Sequence, residues 1–189
     1  MFSHRIDKKV ELVLPDLSQV GSVYAAVLRD LEHLQPWMPW ATVDYSEDTA
    51  REFIQRTLRD YAETGRFDTL ISVDGEIVGS IGFHNYDPTN RSAHIGYWIS
   101  RNFEGKGIVS RCCRALVEYL FDVRGLNRLQ INCNVQNVRS RAIPERLGFK
   151  LEGIHRQVEF LNGQFGDWAI YGLLREEWKE KRLSAVTLA

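Results

Sequence analysis

The stretch that decides the fold is Gly96–Phe121, which reads G-Y-W-I-S-R-N-F-E-G-K-G-I-V-S-R-C-C-R-A-L-V-E-Y-L-F. Residues 93–99, at its start, are rich in aromatic and β-branched side chains, a composition typical of a strand. From Ile108 onward the apolar residues recur every four positions in two rows, and charged residues occupy the opposite face. The rows are Ile108, Cys112, Leu116 and Leu120 beside Val109, Cys113, Val117 and Phe121. We therefore predict a strand and then an amphipathic helix that packs on a sheet.

Two glycines, Gly105 and Gly107, flank Lys106 in the turn between this strand and this helix. The first turn of a helix exposes unpaired N–H groups at the positive end of the helix dipole, and glycine lets a backbone approach an anion closely. The turn therefore favours a pyrophosphate. The alternative is a structural turn that needs only positive φ. A Walker P-loop is excluded because no G-K-S/T follows, and the three-glycine dinucleotide fingerprint is absent.

Three motifs occur in order along the chain: E-G-K-G-I-V at 104–109, N-V-R-S at 137–140 and E-R-L-G-F at 145–149. Together they resemble the GNAT superfamily of acyl-CoA-dependent N-acetyltransferases, over roughly residues 5 to 178. The segments H-I-G-Y-W, R-A-I-P-E-R-L-G-F and V-E-F-L-N-G are similar to its Rim-type branch, which acetylates the N-terminal amines of ribosomal proteins. The chain departs from the family pattern at Glu104, where Gln or Arg is usual, and at Val109, where Gly or Ala is usual. We expect the Glu104 side chain to point away from a bound pyrophosphate.

The resemblance implies an α/β fold of the GNAT type, in which helices flank a mixed central sheet whose parallel strands splay apart. The residues agree with it, because Asp74-Gly75 and Asn162-Gly163 are strong hairpin signals and residues 126–135 alternate as a strand does. The remaining predicted elements are a strand at residues 10–14 and helices from Ser18, from Ser46 to Gly65 and from Asn137 to Gly148. Trp37 and Trp40 lie in a proline-containing loop, where they either line a substrate groove or plug the loop onto the core.

The composition bounds the organisation and the partners. With 189 residues and 44% hydrophobic content, we predict one domain over residues 1–178 and a C-terminal tail over 179–189. The net charge of −1 gives no basic surplus, so direct binding of nucleic acid is not expected. No apolar run reaches the ~20 residues of a membrane span, and the N-terminus lacks a signal-peptide pattern. We therefore expect no membrane association and a cytoplasmic location.

The chain has three cysteines, Cys112, Cys113 and Cys133. Their count is odd, they lack metal-ligand spacing, and two of them are neighbours on a helix that cannot share one face. We predict reduced packing residues and no metal site.

Acetyl-CoA is the co-substrate that the resemblance implies. Its pyrophosphate would lie on the backbone of the glycine turn, and its pantetheine arm would pass Trp98 and Ile99 and reach Asn137 and Ser140. The implied cradle consists of Gly105, Lys106, Gly107, Ile108, Val109 and Ser110.

The resemblance also implies two catalytic side chains, Ser140 and Glu159. Ser140 would donate a proton to the departing CoA thiolate, and Glu159 would act through water as the base for the acceptor amine. Each has an ordinary structural interpretation, because Asn or Ser at a helix start is a common cap and a strand glutamate is commonly exposed. Since Asn137 suffices as the cap, Ser140 is available for chemistry.

We therefore predict an N-acetyltransferase that transfers acetyl directly from acetyl-CoA to a primary amine. The family resemblance implies that this amine is the N-terminal α-amine of a ribosomal protein. One alternative is an enzyme for a small amine such as a polyamine or an aminoglycoside. Another is a catalytically silent acyl-CoA-binding module with a regulatory role, which would need neither Ser140 nor Glu159. The family resemblance also implies a possible homodimer.

Overall fold

The structure is a computed structural model that describes residues 3–187. Within this range the strands are β1 (Ser3–Arg5), β2 (Val10–Val13), β3 (Asp68–Val73), β4 (Glu76–Asp87), β5 (Ser92–Ile99), β6 (Arg128–Asn134), β7 (Lys150–Leu161) and β8 (Gln164–Leu174). The α-helices are α1 (Val20–Arg29), α2 (Leu31–Leu34), α3 (Glu47–Thr64), α4 (Ile108–Glu118), α5 (Val138–Leu147) and α6 (Arg175–Thr187). Most strand pairs are antiparallel and one is parallel, which confirms the predicted mixed α/β class.

The chain forms two compact units, and each is described by itself. The first unit contains the described residues up to 84 together with 96–113, and the second contains 85–95 and the described residues from 114 onward. A single domain over residues 1–178 stays a prediction.

In the first unit β1, β2, β3 and β4 pair in this order, each antiparallel to the next. The hairpin between β3 and β4 is confirmed, with φ of 50° at Asp74 and 87° at Gly75, as a type I′ turn requires. Helix α3 begins as predicted at Ser46, whose hydroxyl accepts the Thr49 N–H, and ends at Gly65 with φ of 71°. Strand β1, which is three residues long and exposed throughout, was not predicted.

The core of the first unit lies between helices α1 and α3 and strands β3 and β4. Its members are Val20, Val23, Ala26, Val27, Leu34, Ala41, Tyr45, Ala50, Ile54, Leu70 and Ile77, and the Trp98 side chain packs against them. Burial of this set anchors the end of β5 in the first unit.

In the second unit the start of β5 pairs with β6 in parallel, and β6 continues through β8 to β7 in antiparallel pairs. The parallel ladder contains only Ser92–Arg128, Ala93–Leu129 and His94–Gln130. The splay of the parallel strands that the resemblance implied stays a prediction. The hairpin at Asn162-Gly163 is confirmed by φ of 52° and 77°.

Helix α4 follows its predicted pattern, because all eight apolar residues of the two rows are buried. The helix then continues as a π-helical turn, Tyr119–Val123, in which the Arg124 N–H reaches the Tyr119 carbonyl at 3.0 Å. The apolar period does not distinguish this wider turn from an α-helical one, so the sequence did not predict it.

The C-terminal tail over residues 179–189 stays a prediction, and in the described part α6 extends from Arg175 to Thr187. Trp178, which is 1% exposed, fixes the start of this helix, and the Arg114 guanidinium lies 5.6 Å from its ring centroid. Further along, Arg182 pairs with Asp122 at 2.7 Å. These partners are distant in sequence, so the charged residues of α6 do not by themselves indicate the contacts. The last two residues of the predicted tail lie outside the described range.

No helix in the described range is both long and apolar enough to cross a membrane.

Candidate active site

The glycine turn of the first unit exposes mainly backbone atoms. Gly105 has φ of 70° and Gly107 has φ of 69°, so both take the left-handed conformation that the turn needs. A Cβ at Gly105 would meet no described heavy atom within 4 Å, which leaves the space above this residue open. Helix α4 begins with the Arg111 N–H bound to the Gly107 carbonyl at 3.1 Å. The N–H groups of residues 108–110 therefore have no acceptor within the helix.

The side chains of the turn agree with a backbone cradle. Ile108 and Val109 are buried, so only their backbone can contact a ligand. Lys106 is exposed, and its Nζ lies 4.9 Å from the centroid of the Phe103 ring. Ser110 is half-buried. Backbone N–H groups at the start of a helix, open space and one nearby cation fit a phosphate.

Trp98 and Ile99 end β5 directly before the turn, and both are half-buried. The Ser100 N–H donates to the Val78 carbonyl at 2.7 Å, and a Cβ at Gly79 would collide with the Trp98 carbonyl, so β4 and this end of β5 lie very close. The ring of Trp40 lies 5.9 Å from the ring of Trp98 while its own side chain stays partly exposed. Trp40 thus lies beside the strand end that the sequence assigned to the pantetheine arm.

The Glu104 side chain contacts helix α2. Its Oε1 lies 3.1 Å from Nε2 of His33, and both side chains are largely shielded from solvent. The carboxylate that departs from the family pattern is therefore held by a residue far away in sequence.

A cavity of about 590 Å³ adjoins the turn in the first unit. Its lining consists of Asp7, Lys8, Lys9, Val10, Val73, Asp74, Phe103, Lys106, Ile108 and Arg111. Arg111 pairs with Asp7 at 3.0 Å and Lys9 with Asp74 at 3.6 Å. The N–H of Lys9 and the Arg111 guanidinium hold the pKa of Asp7 below its usual value. The cations outnumber the carboxylates, which adds a positive field beside the turn.

Ser140 lies in the second unit, in the first turn of α5. The Asn137 side chain accepts the Ser140 N–H at 3.0 Å, which confirms Asn137 as the cap. The Ser140 hydroxyl is half-buried and lies 3.2 Å from Sγ of Cys133, a buried residue of β6. Ser140 is therefore not the cap, and its hydroxyl has a thiol beside it.

Glu159 lies directly after an irregularity in the pairing of β7 with β8. His155 pairs with Trp168 and Glu159 pairs with Gly166, so three residues of β7 face a single residue of β8. Within this bulge Gln157 has φ of 53°, and its N–H donates to Oδ1 of Asp167 at 2.8 Å. Such bulges re-aim the side chains that follow them. Glu159 is half-buried, and its Oε2 accepts a hydrogen bond from the Trp168 indole N–H at 3.1 Å.

The two predicted catalytic residues lie at the same end of β6. Ser140 contacts Cys133, and the next residue, Asn134, pairs with Trp168, which holds Glu159. A Cβ at Gly166 would come within 2.8 Å of the Asn134 amide nitrogen, so only glycine fits between these strands without a shift.

The sequence did not predict the roles of Trp168 and Gly166 in holding Glu159 or the contact between Cys133 and Ser140. The motif V-E-F-L-N-G stops before both β8 residues, and the G-D-W that contains them has no distinctive spacing.

His84 lies in β4 and His94 lies in β5. Asn85 Nδ2 lies 3.3 Å from Nδ1 of His94, and burial together with Arg128 lowers the pKa of His94. In the first unit the His84 ring lies under Gly96, where an added Cβ would approach its Cε1 to 3.3 Å. The three cysteines are buried and form no disulfide in the described part of the chain, as expected of reduced packing residues.

The chain is similar to known acetyltransferases. A family model described as an acetyltransferase (GNAT) domain matches residues 9–150. YdaF of Bacillus subtilis (strain 168), which is named provisionally as a ribosomal N-acetyltransferase, is 36% identical over 183 residues, 96% of this chain and 100% of YdaF. RimL, a ribosomal-protein α-N-acetyltransferase solved with coenzyme A, is 29% identical with a TM-score of 0.88, covering 93% of this chain and 99% of that one. A microcin self-immunity acetyltransferase, solved with acetyl-CoA and AMP, is 29% identical with a TM-score of 0.84, covering 89% and 94%.

The family match covers most of the chain and includes the turn, α4 and the start of α5. The chain therefore belongs to the GNAT family of acetyltransferases, and the class predicted from its motifs is confirmed.

Proposed function

We propose that this protein acetylates the N-terminal α-amine of a protein, with a ribosomal protein as the preferred acceptor class. The observation that carries the proposal is the pairing of Ser140 with Cys133 and of Glu159 with Trp168 at one end of β6. A hydroxyl for a leaving thiolate and a carboxylate for an amine are the two proton-transfer groups that acetyl transfer needs.

Acetyl-CoA supplies the activated acetyl thioester. In the proposal the backbone N–H groups of Ile108, Val109 and Ser110 and the turn Gly105–Gly107 bind its pyrophosphate, with Lys106 adding a cation. Trp98, Ile99 and Asn137 line the path of its pantetheine arm. The turn fits this role because its N–H groups lack acceptors within the helix and the space over Gly105 is open.

Glu159 is the proposed base, which receives the amine proton through water. The indole N–H of Trp168 donates to one carboxylate oxygen and fixes the rotamer, which leaves Oε1 for the proton. The bulge in β7 supports the proposal, because an exposed structural glutamate would need no such support.

Ser140 is the proposed acid, which donates its proton to the departing thiolate. The Ser140 oxygen lies 3.2 Å from the Cys133 sulfur, and either group can be the donor in this contact. The RimL structure, in which coenzyme A is joined by a disulfide to a cysteine of RimL, shows that a cofactor sulfur in a related protein lies beside a cysteine. This supports a sulfur near Cys133 and hence near Ser140.

The acceptor class follows from proton energetics. At neutral pH an α-amine with pKa near 8 is about 10% neutral, whereas a lysine near 10.4 is about 0.04% neutral. Deprotonation therefore costs about 1.4 kcal/mol for the α-amine and about 4.6 kcal/mol for the lysine. One carboxylate acting through water is adequate for the smaller cost. The similarity to YdaF and RimL supports a ribosomal protein as the acceptor.

The experiment offers the purified protein acetyl-CoA with three acceptors: a peptide with a free N-terminal Ser or Ala, the same peptide blocked at its N-terminus but carrying a lysine, and spermidine. We expect kcat/KM to be highest for the free N-terminus. Preference for the blocked peptide would overturn the α-amine assignment. Preference for spermidine would favour a small-molecule enzyme, a candidate that the similarity to the microcin self-immunity acetyltransferase supports.

A further inference from the structure

The segment that joins β5 to α4 is held by three side chains from the region where α1 meets α2. Nη2 of Arg29 donates to Oγ of Ser100 at 3.1 Å, and Oδ1 of Asp30 accepts the Arg101 N–H at 3.0 Å. Nε2 of His33 lies 3.1 Å from Oε1 of Glu104. In each pair the second residue follows the first by 71 positions, so the two segments run side by side. We call Arg29, Asp30 and His33 the strap.

The strap contacts involve groups that are largely shielded from water, except that the Arg29 side chain is 42% exposed. Ser100 is fully buried and Asp30 is 8% exposed. Arg29 is also tied in place by Glu76, which lies 2.6 Å from its Nη1. Shielded polar contacts of this kind are costly to break, because a buried group left without its partner loses a hydrogen bond that water does not replace.

We propose that the strap residues are positioning residues for the cofactor turn, and that His33 in particular keeps the Glu104 carboxylate off the anionic cofactor. The proposal rests on the proposed function, in which the turn from Gly105 binds the pyrophosphate. Glu104 directly precedes that turn, so its charge is the negative charge nearest in sequence to the cradle. A carboxylate that swings toward a pyrophosphate repels it, and the repulsion is strong over a few ångströms in a partly shielded site.

The sequence departs from its family at this position, and the strap explains how the departure is tolerated. Where the family has Gln or Arg, this chain has a carboxylate that contacts an imidazole on α2. The imidazole supplies an N–H donor and so fixes the carboxylate on the α2 side. His33 and Glu104 therefore act as one unit, and neither is explained without the other.

The test measures acetyl-CoA affinity by calorimetry and steady-state kinetics in four full-length proteins: the wild type, His33→Ala, Glu104→Gln and the double variant. We expect His33→Ala to weaken binding and raise the KM for acetyl-CoA about tenfold, with kcat within about twofold of wild type. The double variant should return to within about threefold of the wild-type affinity, because the amide carries no charge to repel the cofactor.

A double variant as weak as His33→Ala would overturn the charge role, because a packing defect at His33 is not rescued by changing Glu104. Unchanged affinity in His33→Ala would overturn it as well. If the wild type itself fails to bind acetyl-CoA, the proposed function fails instead, so the two failures are distinguishable.

A matched pair at Asp30 tests the rest of the strap. Asp30→Asn keeps an oxygen that can accept the Arg101 N–H, whereas Asp30→Ala removes it. We expect Asp30→Asn to bind acetyl-CoA within about twofold of wild type and Asp30→Ala to bind at least fivefold more weakly. Equal affinity in the two variants would show that this contact does not position the turn. Circular dichroism and a thermal melt check that each variant is folded.

Discussion

The two candidate regions use different parts of the polypeptide. The glycine turn of the first unit offers backbone N–H groups and the space above Gly105, while its apolar side chains at positions 108 and 109 are buried. The region at the end of β6 in the second unit offers side chains, Ser140 and Glu159, each aligned by a partner. In the proposal the first region binds the cofactor, and the second supplies the groups that transfer protons.

The difference teaches where substitutions should act. A backbone site tolerates side-chain changes but not a changed φ, because its donors belong to the main chain. A side-chain site tolerates local backbone variation but not the loss of one functional group. Changes in the first region should therefore alter cofactor affinity, and changes in the second should alter kcat. The predictions below test this division, in order of decreasing effect.

The largest effect is expected at Glu159. Glu159→Gln keeps the shape and a hydrogen-bond acceptor for Trp168 but removes the base, so kcat should fall by a factor of about 10² to 10³. The affinity for acetyl-CoA should stay within about twofold of wild type. Stopped assays over a pH series measure the rate, and the acidic limb of the wild-type profile should flatten in the variant. If Glu159→Gln keeps the wild-type kcat, Glu159 has only a structural role, and the contrast between the two regions no longer holds.

A smaller effect is expected in the turn, where the chain offers a matched control. Gly105 and Gly125 have φ of 70° and 69°, and a Cβ at either would meet no described heavy atom within 4 Å. Gly105→Ala and Gly125→Ala should therefore each lower the free energy of unfolding by a similar amount, about 1 kcal/mol. Only Gly105→Ala should weaken acetyl-CoA binding, by about fivefold to tenfold, because its Cβ enters the space proposed for the phosphate. Equal affinities by calorimetry would leave the turn with a structural role only.

The smallest effect is expected at an ion pair of the second unit that has no proposed part in the chemistry. Arg128 contacts both carboxylate oxygens of Glu152, at 2.7 and 2.5 Å, and this contact holds the pKa of Glu152 below its usual value of 4.5. The pair is about one-third exposed, so Glu152→Gln should cost only about 0.5 to 1 kcal/mol at pH 7, with kcat unchanged.

The pH dependence of this cost has a definite sign. Because the folded-state pKa of Glu152 is lowered, the stabilisation is fully present above pH 4.5 and is lost as the pH falls through the lower folded value. Urea melts of wild type and variant should therefore converge in acid. If the difference in the free energy of unfolding persists below that pH, the effect is due to packing and not to the ion pair. A reduced kcat at pH 7 would show that this ion pair also affects catalysis.

Much of the fold could be predicted because its signals are local. The four-residue period of α4, the Asp74-Gly75 and Asn162-Gly163 turns and the caps at Ser46 and Asn137 all lie within a few residues of the structure they specify. The first region was equally accessible, since two glycines before an amphipathic helix are a local pattern.

What the sequence did not predict depends on contacts between distant residues. Trp168, the partner of Glu159, is nine positions away on β8. His33, the partner of Glu104, is 71 positions away on α2. Helix α6 was not predicted, because its own apolar pattern is weak and its burial at Trp178 comes from tertiary packing. Side-chain chemistry could be assigned to Ser140 and Glu159 only by resemblance, because no local rule fixes what a side chain will meet.

The bulge in β7 makes the tip of this hairpin a separable module. Glu159, Phe160 and Leu161 take their register from the Asn162-Gly163 turn, counted back from Gly166, Phe165 and Gln164. The three unmatched residues before Glu159 absorb any difference in length between the tip and the strand below it. An insertion or a deletion within those three residues therefore leaves the carboxylate opposite Gly166. The tip of the hairpin can therefore be replaced, by evolution or by design of a new acceptor specificity, without changing the strand pairing in the rest of the sheet.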